Sequence, residues 1–79
     1  MTETPGSRDR NALSLTTAAG TTEREFLTEA ETMALAQFAN RVGWFEFTSN
    51  ALGDDEAHLM KQAFDKLQDV LARSGFAPG

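Results

Sequence analysis

His58 is the only histidine in the chain, and Asp54 and Asp55 precede it by four and three residues. On a helix these spacings bring all three side chains to one side, a grouping that suggests metal binding or proton transfer. A metal site usually takes three or four protein ligands, and the chain offers no second histidine and no cysteine. His58 is therefore expected to be a solvated residue on a polar face beside Lys61 and Gln62. The acidic run Gly53–Glu56 fails as a calcium loop. Such a loop alternates its oxygen ligands and ends on a glutamate at its twelfth position, where this chain has Asp65 inside a helical pattern. Ser49 or Ser74 as a nucleophile would have one imidazole as base and no residue placed to orient it. The glycines form no GxxxxGK phosphate loop. No catalytic residue, cofactor or metal is expected, and the chain is read as a non-enzyme.

The residues that stand out are apolar. The stretch Gly43–Asn50, GWFEFTSN, sets Trp44, Phe45 and Phe47 within four positions. With Phe38, Met60 and Phe64 they form the candidate interaction surface. A second, polar candidate is acidic: Glu29, Glu31, Asp54, Asp55 and Glu56. The formal net charge is -5, which disfavours a phosphate backbone and suits a partner with a basic surface.

The elements that carry these residues are read from periodicity. Residues 1–22 are rich in Thr, Ser, Gly and Pro and are expected to be a flexible tail. Within it ALSLTT alternates, with Leu13 and Leu15 on one side, as a short strand would. The domain proper is expected at 23–79. Its first helix opens on a Thr28/Glu31 capping box and sets Leu27, Ala30, Ala34, Leu35, Phe38 and Val42 on one face. It would close on a left-handed Gly43, with Trp44 folding back onto Ala39. A short connecting helix is expected to follow. In the last helix Ala57, Met60, Phe64, Leu67 and Leu71 recur at alternating spacings of three and four, widened by Ala63 and Val70. Asp54, Asp55 and Glu56 crowd its first turn, where the helix dipole favours negative charge. Asp69 and Arg73 form an i,i+4 pair. Gly75, Phe76 and Pro78 supply a Schellman stop.

The expected fold is all-α: a helical hairpin with a short connecting helix. A chain of 79 residues without cysteine makes at most one domain, with no disulfide to hold it and a small core. Two helices cannot shelter the aromatic segment alone, so the hairpin is expected to dimerise into a four-helix arrangement. No apolar run approaches the length of a membrane span, and the N-terminus has no apolar signal region. The cytoplasm is the expected location.

The runs ALAQFANRVGW (Ala34–Trp44) and DDEAHLMKQAFDKLQDVLARSGFAP (Asp54–Pro78) resemble a family of short uncharacterised proteins from proteobacteria, their phages and integrated elements. The shared features are the Ala-Gln-Phe helix, the Arg-Val-Gly-Trp turn, the Glu-Ala-x-x-Met helix start and the Ser-Gly-Phe-Ala-Pro ending. The family pattern has a polar residue where this chain has Phe45, and often a methionine at Phe47. The resemblance carries no activity over. It implies a second function class, an anti-CRISPR-type inhibitor of a host defence complex that handles nucleic acid, with carboxylates occupying a basic groove.

The main reading is a non-catalytic, homodimeric protein-interaction module, with nucleic acid and membrane not expected as partners. A ribbon-helix-helix DNA-binding regulator is a further alternative, with ALSLTT as ribbon. Against it, the strand lacks the Lys, Arg or Gln side chains that read base edges, and Thr17–Leu27 is a long spacer.

Overall fold

A computed structural model describes residues 10–76. Two strands precede three helices: β1 (Arg10–Thr16), β2 (Thr22–Thr28), α1 (Glu29–Arg41), α2 (Trp44–Asn50) and α3 (Asp54–Arg73). The fold is α+β, which overturns the all-α helical hairpin and the four-helix dimer built on it. The chain packs as two compact units, and the boundary between them falls inside α1, between Thr32 and Met33.

In the first unit β1 and β2 form an antiparallel hairpin, with Leu13 opposite Glu25, Ala12 opposite Phe26 and Thr16 opposite Thr22. The long spacer Thr17–Leu27 supplies both the turn and most of β2. Gly20 N–H donates to Thr17 O at 2.9 Å, and Thr17 N–H donates to Thr21 O at 2.8 Å. Gly20 has φ +93°, the left-handed conformation that a three-residue hairpin loop takes at its last position. The Thr16 and Thr22 hydroxyls meet at 2.8 Å where the strands close. Opposed residues share a face. One face therefore carries Leu13, Leu15 and Leu27 with Glu23 and Glu25, and the other carries Ala12 and Phe26 with Arg10 and Arg24. Arg10 lies over the Phe26 ring, 5.8 Å from its centre.

Helix α1 starts as its sequence requires. Glu31 N–H donates to Thr28 Oγ1 at 3.0 Å, and Thr28 N–H donates to Glu31 Oε1 at 2.9 Å, a complete capping box. Asn11 joins β1 to this helix start. Its side-chain amide donates to Thr32 Oγ1 at 2.8 Å and to Glu29 Oε1 at 2.9 Å. The buried Thr32 hydroxyl donates to Thr28 O at 2.8 Å.

In the second unit Ala36, Ala39 and Leu71 form a small buried cluster, with Leu35, Phe64, Leu67 and Phe76 packed against it. The expected apolar face of α1 is thus rotated. Ala34 and Phe38 are exposed, Leu27 belongs to β2, and Ala36 and Ala39 are the buried residues. Asn40 accepts from the Gln68 amide at 3.0 Å, pinning α1 to α3. Gly43 does not close α1 in a left-handed turn. Its φ of -129° is extended, and it caps α2, with Gly43 N–H donating to Glu46 Oε1 at 2.6 Å.

The α3 seam forms as expected at Ala57 and Leu71, both buried, with Met60, Phe64 and Leu67 half-buried; Ala63 and Val70 are exposed. Gly75 has φ +99°. Phe76 N–H donates to Leu71 O and Gly75 N–H to Ala72 O, at 2.8 and 3.0 Å, the two bonds of a Schellman motif. Pro78 lies outside the described residues. Arg73 and Asp69 pair at 3.0 Å, and Lys61 and Asp65 at 2.9 Å.

Candidate interaction surface

The aromatic residues do not act as one patch. Phe47 is buried on α2 and meets the Phe64 ring edge-on at 5.6 Å. Phe38, near the end of α1, meets the same ring edge-on at 6.1 Å. These three rings, with Val42, Met60 and Ala63, line an apolar groove of about 540 Å³ whose polar margin is Glu46 and Asn50. Four of the six expected interaction residues, Phe38, Phe47, Met60 and Phe64, therefore come together. The other two lie elsewhere. Trp44 rests against His58, with ring centres 4.9 Å apart, and remains partly exposed. Phe45 points away from the unit and is 75% exposed. His58 is exposed, as expected, and in addition stands against the one tryptophan.

The groove follows from local sequence rules. Gly43 and Glu46 start α2 with half of a capping box, in which the Glu46 carboxylate takes the Gly43 N–H. Starting there fixes which aromatics turn inward. On a helix Trp44, Phe47 and Ala51 share a side, and Phe45 falls opposite. Val42 and Ala63, each expected on an apolar helix face, complete the lining, and Glu46 and Asn50 come from the polar side of the connecting helix. The signal for Glu46 is its position three residues after a turn glycine.

The acidic candidate is thinner than its sequence suggests. Glu31 serves the capping box, Glu29 accepts from Asn11, and Glu56 accepts the Leu52 N–H at 2.7 Å. Asp54 and Asp55 remain exposed in the first turn of α3. Glu29 and Glu31 belong to the first unit, and Asp54, Asp55 and Glu56 to the second. Among the described residues, no three His, Asp or Glu side chains converge as a metal would need. No helix among them is long and apolar enough to cross a membrane.

What this surface can do is bury apolar area. Among the described residues no large side chain is fully buried, and ten large apolar side chains are exposed, from Leu13 and Leu15 on β1 to Phe45 on α2, Leu52 between α2 and α3, and Leu59 on α3. No curated protein and no solved structure matches the chain. The model of a family of unknown function, DUF7706, matches residues 10–79, and the chain belongs to that family.

Proposed function

We propose that the protein is a non-catalytic interaction module that works as a homodimer, with its exposed apolar side chains covered by a second copy. One observation carries this reading: among the described residues the buried hydrophobic ones are three alanines, Phe47 and Leu71, while Leu13 is 47% and Leu15 70% exposed. Exposed apolar side chains that gather on one face mark an association surface, as Leu13 and Leu15 do with Leu27 on the hairpin, and a domain of this size has little core of its own. Self-association needs no further component, because every copy brings the same apolar side chains.

Light scattering across a concentration series tests the reading. The expected mass is twice the chain's 8.6 kDa, and a monomer at the highest concentration overturns it. Replacing the exposed Leu13 and Leu15 together by Ser is expected to shift the mass toward the monomer while the circular dichroism stays helical.

An inhibitor of a nucleic-acid-handling complex, in keeping with a mobile-element origin, would draw on the acidic residues. Asp54 and Asp55 favour it, since both stand exposed at one helix start. Glu29, Glu31 and Glu56 count against it, since all three are held in hydrogen bonds within the chain. Capture of a nuclease complex that is lost in Asp54→Asn/Asp55→Asn would establish it.

A further inference from the structure

We propose that the seam between copies is the outer edge of β1, which pairs antiparallel with the β1 of a second copy to make a four-stranded sheet in the order β2-β1-β1-β2. The inference rests on the homodimer reading and locates its contact. A two-stranded sheet has two open edges, each a row of unpaired N–H and C=O groups, and an isolated hairpin is marginal in water. The two edges of this hairpin differ in chemistry.

β2 carries Glu23, Arg24 and Glu25 in its first half. Paired with its own copy over its full length, it would centre on Glu25 and set that carboxylate directly opposite itself. Shifted one residue toward its start it would set Arg24 opposite Arg24, and shifted one residue toward its end it would avoid like charges only by giving up two residues of overlap. Like charges directly opposed across a ladder are destabilising, and charged edge residues guard a strand against pairing. β1 is the opposite case. Its single charged residue is Arg10, at one end, and Leu13 and Leu15 are both exposed. Its full seven-residue overlap with a second copy centres on Leu13 and sets Arg10 opposite Thr16, Asn11 opposite Leu15 and Ala12 opposite Ser14. No like charges meet. Both copies would present Leu13 and Leu15 on one face of the joined sheet, so four leucines would gather at its middle, between outer rows of Glu23 and Glu25. β1 is therefore the edge that charge leaves free to pair over its full length.

The chain has no cysteine, so single-cysteine variants report this geometry cleanly. Leu13 and Glu25 lie opposite each other on one face and differ only in which strand they occupy. In the joined sheet two copies of residue 13 would stand about 4.5–5.5 Å apart at Cα, within disulfide range. Two copies of residue 25 would stand three strand spacings apart, roughly 14 Å, beyond it. Under mild oxidation Leu13→Cys is expected to form a covalent dimer about tenfold faster or more than Glu25→Cys, given that distance limit. Circular dichroism of both variants checks that each is folded. Equal or faster linking at Glu25→Cys overturns the proposal. A dimeric mass without linking at Leu13→Cys overturns the seam and leaves the homodimer standing. A monomeric mass in the unmodified chain overturns both.

Discussion

At the residue scale, the burial of each aromatic ring decides what replacing it does. Phe47 is 8% exposed and packed on Phe64. Phe47→Ala is expected to destabilise the fold by about 3 kcal/mol or more, the range for emptying a core aromatic site. Phe45→Ser, at a solvent-facing position on the same helix, is expected to stay within about 0.5 kcal/mol of the parent. Urea denaturation of the two variants checks the contrast. Sequence spacing showed that Trp44, Phe45 and Phe47 could not all face one way on a helix. It did not show which faced inward, because that depends on where α2 begins, and Glu46 sets that through its bond to Gly43. Thr32 is a second case. Its buried hydroxyl accepts from Asn11 and donates to Thr28 O. Thr32→Val keeps the shape but strips the acceptor, and a loss of about 1–2 kcal/mol is expected, read as a lower urea midpoint. Nothing in the pattern around Thr32 marks it, since its partner lies 21 residues away.

At the element scale, one substitution has opposite signs at two glycines. Gly75 has φ +99°, so Gly75→Ser forces a side chain into the left-handed region and is expected to cost about 1–2 kcal/mol. Gly53 caps α3 in an extended conformation, with open space where a Cβ would stand. Gly53→Ser supplies the missing side-chain cap and narrows the unfolded ensemble, and a gain of about 0.5 kcal/mol is expected. Thermal melts of the two variants check both signs. The α3 seam, its acidic start and its Schellman stop were all legible, because they are local and repeat along twenty residues. β2 was not. Its alternation of Glu23, Glu25 and Leu27 against Arg24, Phe26 and Thr28 is half charged, and Leu27 fits the α1 periodicity as well as it fits a strand. The turn at Gly20 was the missed evidence, since a left-handed glycine between two alternating runs joins them as a hairpin.

At the scale of the whole molecule, a dimer that completes its own core has a stability tied to concentration. The thermal midpoint is expected to rise as protein concentration is raised tenfold, and a midpoint independent of concentration would contradict the homodimer. Small size and the absence of cysteine were enough to indicate a shortage of core, and the exposed side chains agree with that shortage. The class of fold was misjudged for a different reason: the long helices dominate the periodicity, while the seven-residue strands contribute little to it. Thr28 is at once the final residue of β2 and the hydroxyl that starts α1. There is no slack between ribbon and rod. Whatever grips the ribbon therefore also helps wind the rod, and in the proposed dimer a parting of the copies is expected to cost helical turns at α1 before any at α3.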